Sequence, residues 1–80
     1  SRWAKDGGQL ALEVVVPANC RAQIAVPVSG NRNPVITESG KVIWENGQYV
    51  AGQDGITAGQ EDGEWRVFTA GSGSYRFICR

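Results

Sequence analysis

Turn-forming residues interrupt this chain at such short intervals that a helix has almost no room to form. The sequence contains 11 Gly and three Pro among 80 residues, and no segment between them sustains a helical period. Short apolar alternations fill the intervals, which is typical of strands joined by tight turns. The pattern predicts an all-β fold: an antiparallel two-sheet β-sandwich of Greek-key type, with about seven or eight strands and no significant helix.

The clearest alternation covers residues 10–16, where apolar side chains occupy the even-numbered positions. Successive side chains of a strand point to opposite faces, so the even positions are predicted to be buried. A turn over residues 17–19 follows, because it combines Pro with Asn. A second strand is expected over residues 20–26, and Pro27 should end it because proline lacks a backbone donor.

Hairpin turns are marked by three dipeptides, Ser39-Gly40, Asn46-Gly47 and Asp62-Gly63. Asn-Gly and Asp-Gly pairs favour the positive φ angles of a two-residue hairpin turn. Residues 51–60 are rich in Gly and are expected to form an irregular connection. The last strand is expected over residues 74–79.

Charge is balanced, with eight Lys plus Arg against eight Asp plus Glu. The basic residues are scattered, so the sequence argues against a nucleic-acid or membrane-surface partner. The chain also has no Met, and no leader precedes its first aromatic residue. We therefore expect residues 1–80 to be a single module excised from a larger protein.

Two cysteines, Cys20 and Cys79, are too few for a disulfide scaffold. Both fall at the inward parity of their predicted strands. We expect two buried free thiols, because free cysteine often behaves as a small core residue. A single disulfide is the alternative if the two strand ends meet.

The sequence offers few of the side chains that usually carry out catalysis. The sequence has no His, which removes the commonest general base and metal ligand. No catalytic residue, metal site or cofactor is predicted. A glycosidase needs only two suitably spaced carboxyl groups, but those available are expected to be solvated turn residues. They are Glu38, Glu45, Asp54, Glu61, Asp62 and Glu64.

Aromatic residues offer a second kind of site, because exposed rings stack on sugars and anchor protein contacts. Tyr75 and Phe77 are expected to point inward, and Trp65, which shares the parity of Val67, is also expected in the core. Three aromatic residues close to strand ends or turns are the candidates for carbohydrate or domain contact. They are Trp3, Trp44 and Tyr49.

Several segments together resemble one family. The strand–Pro-Ala-Asn–strand–Pro pattern, the Glu-Ser-Gly hairpin and the closing Gly-Ser-Gly-Ser-Tyr-Arg-Phe strand are similar to the C-terminal domains of bacterial α-L-rhamnosidases. The strand containing Trp3 matches the opening strand of those domains, and the blocks follow in the same order. The segments are residues 12–19, 22–27, 35–40 and 71–77.

The resemblance implies a β-sandwich that follows an (α/α)₆-barrel catalytic domain. The catalytic acids of that family lie in the barrel, and none maps onto this chain. The parent protein would hydrolyse terminal α-L-rhamnosides with inversion, and this fragment would be its non-catalytic accessory domain. Its partner would be the catalytic domain of the same polypeptide, and a periplasmic or secreted location is favoured.

Two alternatives remain open at this point. One is a carbohydrate-binding module that holds rhamnose-containing glycans on its surface aromatics. The other is a generic immunoglobulin-like interaction domain, although the sequence lacks the Cys…Trp…Cys spacing of true immunoglobulin domains.

Overall fold

The computed structural model describes residues 2–6, 9–28 and 33–80, with the backbone alone for 2–6. These residues form nine strands and no helix, so none of them lies in a helix able to cross a membrane. The two-residue β6 brings the number of strands above the expected seven or eight. The strands are β1 (Arg2–Asp6), β2 (Gln9–Val16), β3 (Ala22–Pro27), β4 (Ile36–Glu38), β5 (Lys41–Glu45), β6 (Gln48–Tyr49), β7 (Ile56–Asp62), β8 (Trp65–Ala70) and β9 (Gly73–Cys79).

The strands assemble into two antiparallel sheets, which confirms the predicted all-β sandwich. A six-stranded sheet has the order β1-β2-β9-β4-β5-β6, and a three-stranded sheet has the order β3-β8-β7. The chain crosses from one sheet to the other after β2, β3, β6 and β8. These crossings place β9 between β2 and β4, so sheet neighbours are distant in sequence, as a Greek-key arrangement requires.

Aromatic rings at the centre of the sandwich join the two sheets. The Phe68 ring of β8 stacks against Phe77 of β9, with 5.9 Å between ring centroids. The same ring meets the Trp44 indole of β5 edge to face at 6.3 Å. The Tyr49 ring of β6 lies 6.5 Å away. Phe68 is fully buried, so this one residue contacts the opposite sheet at three strands and closes the core.

The alternation in β2 and β9 is as the sequence predicts. The even-numbered Leu12 and Val16 are buried, whereas the odd-numbered Val15 is 72% exposed. Tyr75 and Phe77 of β9 both point into the core. The period of two therefore identified the inner face correctly in both strands, where the charged residues Glu13 and Arg76 fall on the outer face.

The second sheet-forming segment begins two residues later than expected, at Ala22. Asn19 adopts a positive φ of 63°, and the Cys20 amide donates a hydrogen bond to the Pro17 carbonyl at 3.1 Å. Because Cys20 belongs to this hydrogen-bonded turn, β3 starts only after it. Pro27 is the last residue of β3, as its missing donor predicts.

Two of the three predicted hairpin turns are confirmed. Ser39 and Gly40 have φ angles of 50° and 85°, and Asn46 and Gly47 have 54° and 75°. Positive φ at both central positions is the signature of a type I′ turn, whose twist matches that of the flanking strands. The dipeptide chemistry therefore fixed the β4–β5 and β5–β6 hairpins.

The third hairpin is shifted by one residue. Asp62 pairs with Trp65, which leaves Gly63 and Glu64 as the two loop residues instead of Asp62-Gly63. Gly63 has a φ of 57°, so the glycine supplies the left-handed position at the first loop residue. The strand that the sequence favours over residues 56–61, ahead of this turn, is confirmed as β7, and the Gly-rich connection is therefore shorter than residues 51–60.

Candidate functional site

Trp44 is not a surface residue, and the expectation that it offers an exposed ring is wrong. Its side chain is only 3% exposed and lies between the sheets against Phe68. The Arg66 guanidinium carbon sits 5.3 Å from the centre of the indole, a cation–π distance. The nearby Asn46-Gly47 turn does not expose Trp44, because its side chain points to the inner face of β5.

Tyr49 is half-buried and links β6 to the opposite sheet. Its hydroxyl donates a hydrogen bond to the Ile56 carbonyl at 3.3 Å, and its ring packs on Phe68 at 6.5 Å between centroids. A Cβ atom at Gly59 would lie 2.6 Å from the Tyr49 ring, so the glycine makes room for it. Tyr49 is therefore committed to the fold at both its ring and its hydroxyl.

The Trp3 backbone pairs with Leu12 at the edge of the six-stranded sheet. Its side chain lies outside the described residues, so its contact role stays a prediction.

The exposed tryptophan is Trp65, which the parity with Val67 had assigned to the core. Its side chain is 45% exposed at the start of β8, the central strand of the three-stranded sheet. Residues directly opposite each other in antiparallel strands share a face. The pairing with β3 and β7 therefore defines an outer sheet surface, the Trp65 face. Its residues are Gln23, Ala25, Pro27, Ala58, Gln60, Asp62, Trp65, Val67 and Thr69.

The Trp65 face carries a continuous apolar patch with polar residues beside it. Pro27 lies directly opposite Trp65, and Ala25 lies opposite the half-buried Val67, so the patch reaches the β3 edge of the sheet. The polar residues are amides, a hydroxyl and Asp62, the one residue of the face that carries a charge, and they lie on the β7 side and at the far end of the patch. Protein–protein contacts commonly combine an apolar patch with flanking polar groups.

Arg66 holds this face from the inside of the sandwich. It is only 8% exposed, and its Nη1 donates to the carbonyls of Gly63 at 2.9 Å and Trp65 at 3.0 Å. Its Nη2 lies 3.9 Å from the exposed Glu61 carboxylate. The backbone of Trp65 and the hairpin turn are therefore fixed by a buried guanidinium, so the indole is presented from a rigid support.

Two buried donors beside each other lack a hydrogen-bond acceptor in the described structure. They are Arg66 Nε and Trp44 Nε1. The cation–π contact between the two side chains replaces part of what hydrogen bonds would provide.

Glu38 is a buried structural carboxylate and not the solvated turn residue expected from its position. It is 2% exposed, and Ser39 Oγ and the Arg76 amide donate to Oε2, the latter at 3.1 Å. Gln53 Nε2 donates to Oε1 at 2.6 Å and to the Glu38 carbonyl at 2.9 Å. Every partner is a donor, so both carboxylate oxygens of Glu38 accept hydrogen bonds within the fold. The cluster ties the 51–55 connection to the six-stranded sheet.

The other candidate carboxylates are exposed, as expected for turn residues. Glu61, Asp62 and Glu64 surround the β7–β8 hairpin, and Glu45 and Asp54 lie elsewhere on the surface. Within the described ranges, no three His, Cys, Asp or Glu side chains come close enough together to hold a metal ion.

Both cysteines are free, but only one is buried. Cys79 points into the core, where burial raises the pKa of its thiol and the Arg66 charge opposes part of that effect. Cys20 is exposed because it belongs to the turn that precedes β3. The expectation of two buried thiols is therefore confirmed for Cys79 and wrong for Cys20.

Comparisons with known proteins give no further guidance. The chain has no significant match among protein-family models, curated proteins or solved structures.

Proposed function

We propose that this chain is a non-catalytic accessory domain of an α-L-rhamnosidase-like glycoside hydrolase, and that it packs on the (α/α)₆-barrel catalytic domain through the Trp65 face. The observation that carries the proposal is the 45% exposed indole on the outer side of a central strand. Tryptophan, together with Tyr and Arg, is enriched among the residues that contribute most to contacts between proteins.

The support beneath the indole favours a permanent contact surface. Arg66 fixes the Trp65 carbonyl, and the ring of Pro27 directly opposite Trp65 is itself conformationally restricted. A rigid apolar anchor loses little conformational entropy on binding. The Trp65 face is thus preorganised for binding.

The carboxylates favour an accessory role for the same domain. Glu38 is held by donors from Ser39, Gln53 and the Arg76 backbone, so its oxygens are occupied within the fold. Inverting hydrolysis needs two carboxyl groups facing one sugar across a gap of about 6.5–9.5 Å. The proposal leaves that chemistry to the barrel domain.

The proposal is tested by titrating the catalytic domain encoded in the same reading frame with this chain, using calorimetry. We expect binding by the wild type and a loss of at least about tenfold for Trp65→Ser, in line with an aromatic anchor. Val15→Ser is the matched control, because Val15 is a 72% exposed apolar residue on the other sheet. Equal affinity for all three chains would remove the Trp65 face from the contact. A reading frame that encodes no helix-rich barrel with paired carboxylates would refute the parent enzyme.

A second candidate is carbohydrate binding on the same indole. The observation in its favour is that Asp62 lies opposite Trp65, with Gln60 opposite the neighbouring Val67, so polar groups border a stacking surface. Titration with rhamnose-rich oligosaccharides should then change the tryptophan fluorescence of the wild type and not that of Trp65→Phe at the same wavelength. A flat response from the wild type would exclude this alternative.

A further inference from the structure

Within the described chain, the edge of the three-stranded sheet formed by β3 has little protection. β3 pairs with β8 on one side, and no strand of the described residues pairs with its other side. Its six residues, Ala-Gln-Ile-Ala-Val-Pro, carry no charge, and Pro27 at its end is the one protecting device in the strand. Exposed edges normally carry charges, prolines, bulges or only a few residues, because a bare edge invites another strand.

The other edges of the molecule have such protection. β6 has only two residues, and β1 contains Arg2, Lys5 and Asp6 in its sequence. β7 has a register shift between Ile56 and Ala58 and two acidic residues near its end. Among the edge strands of the described chain, β3 is thus the one of more than two residues that has neither a charged residue nor a register shift.

The register shows which backbone groups of β3 are free. The Val28 amide donates to the Glu64 carbonyl, so residue 28 points toward β8. Backbone groups alternate in direction along an antiparallel strand. Residues 22, 24 and 26 therefore also point toward β8, and the N–H and C=O groups of Gln23 and Ala25 point to the open side.

The same conclusion follows from the β7–β8 hairpin. Its two-residue loop is closed by Asp62 and Trp65, a pair that exchanges hydrogen bonds in hairpins of this length. Trp65 and Val67 therefore bond to β7, which leaves Arg66 and Phe68 to bond to β3. Their partners Val26 and Ile24 cannot be the residues that face outward.

We propose that β3 pairs with β3 of a second copy, antiparallel about a two-fold axis, to join two three-stranded sheets into one. Gln23 of each copy lies opposite Ala25 of the other, with the two Ile24 residues facing each other at the axis. In this register the free N–H and C=O groups of Gln23 and Ala25 are all paired, by the reciprocal exchange that antiparallel strands make.

Pro27 selects this register over its neighbour. If the strands slipped so that Ala25 faced Ala25, Pro27 would lie opposite Gln23 and could not donate a hydrogen bond. A second copy is the occupant that the charges favour, because an uncharged strand brings no like charges together when it meets itself. Such two-fold contacts are the commonest form of self-association.

The first test is sedimentation of the whole chain over a concentration range up to about 1 mM, a span that detects even weak association. We expect a reversible monomer–dimer equilibrium. Amide hydrogen exchange is measured at the two ends of the range. The Gln23 and Ala25 amides should become protected as the dimer forms, whereas the Val15 amide at the far sheet should not change.

Charge variants test the register. Ala25→Lys places two lysines diagonally across the axis, at about 7–8 Å, and should weaken the dimer. Adding Gln23→Glu to that variant sets each new glutamate directly opposite a new lysine and should restore or strengthen it. Val15→Lys, with its charge on the other sheet, is the control and should leave the equilibrium unchanged.

A proline variant removes the hydrogen bonds themselves. Ala25→Pro deletes an outward N–H in each copy while sparing every bond to β8, and should weaken the dimer roughly tenfold or more. Thermal unfolding shows whether each variant is folded. If Ala25→Pro is not folded, the comparison rests on Ala25→Lys.

Two outcomes would overturn the proposal. A chain that stays monomeric throughout shows that β3 does not bind itself, and its edge would be open only to a strand of another protein. A dimer that none of the Ala25 variants weakens uses a different surface. Neither outcome depends on the identity of the parent enzyme.

Discussion

The two faces of the three-stranded sheet depart from the usual division between an apolar inside and a polar outside. The inner face carries Phe68 at the centre of the core, but also Arg66, a charged residue that is only 8% exposed. The outer face carries the largest exposed apolar ring of the described chain, Trp65. Polarity alone would place Trp65 inside and Arg66 outside. The structure has the reverse, with Trp65 on the outer face and Arg66 on the inner face.

The contrast separates stabilising residues from residues available to a partner. Phe68 contacts the opposite sheet at Trp44, Tyr49 and Phe77, so the fold depends on it. Trp65 pairs with Pro27 and Asp62 on the outer face of its own sheet, and 45% of it is exposed. Exceptions to the pattern are expected at functional sites, and the inversion at 65 and 66 is such an exception.

Phe68→Ala should have the largest effect, because it removes the ring that joins both sheets. Truncation of a buried Phe costs about 3–5 kcal/mol, a large part of the stability of so small a domain. Urea unfolding followed by circular dichroism measures the loss. Val67→Ala on the outer face is the control and should cost about 1 kcal/mol or less. Equal losses for the two variants would erase the distinction between the faces.

Glu38→Gln tests whether a buried charge can stabilise this sandwich through hydrogen bonds. The amide would turn an NH₂ group toward donors from Ser39, Gln53 or Arg76, and we expect a loss of about 2–3 kcal/mol. The exposed Glu45→Gln on neighbouring β5 should change the free energy of unfolding by less than about 0.5 kcal/mol. An unchanged Glu38→Gln variant would contradict the assigned hydrogen bonds.

Arg66→Ala should cost about 1–2 kcal/mol, because the Gly63 and Trp65 carbonyls lose their donor and Trp44 loses its cation–π contact. Glu61→Gln separates that role from the ion pair. Since Glu61 is exposed, its removal should cost less than about 0.5 kcal/mol. If Glu61→Gln destabilised the domain as much as Arg66→Ala, the ion pair and not the buried contacts would explain the position of Arg66.

Local sequence patterns predicted the parts of this fold that depend on local chemistry. The Ser39-Gly40 and Asn46-Gly47 turns follow from φ preferences, and the alternation in β2 follows from a run in which the one charged residue, Glu13, falls on the outer face. The position of β9 between β2 and β4 could not be predicted in this way. It pairs β9 with segments about sixty and about forty residues away in sequence and depends on the whole core.

The candidate site was harder to predict, for a reason visible in β8. Its sequence, Trp-Arg-Val-Phe-Thr-Ala, fits an inward Trp and Val or an inward Phe and Ala. The charge of Arg66 favoured the first choice, because buried arginines are rare. Only the Trp44 ring and the two carbonyls that receive Arg66 make the second choice stable. The burial of Glu38 was not predicted for a similar reason. Its partner Gln53 is 15 residues away in sequence, so no local pattern links the two.

Trp65→Ser should have a much smaller effect on folding than Phe68→Ala, and it tests the central claim most directly. The claim is that Trp65 serves a contact outside the chain and not the core. We expect urea unfolding of Trp65→Ser to show a loss of about 1–2 kcal/mol, because only about half of the ring is removed from water in the wild type, with 45% exposed. A loss of about 3 kcal/mol or more, equal to that of a core aromatic, would show that Trp65 belongs to the fold and would contradict the account.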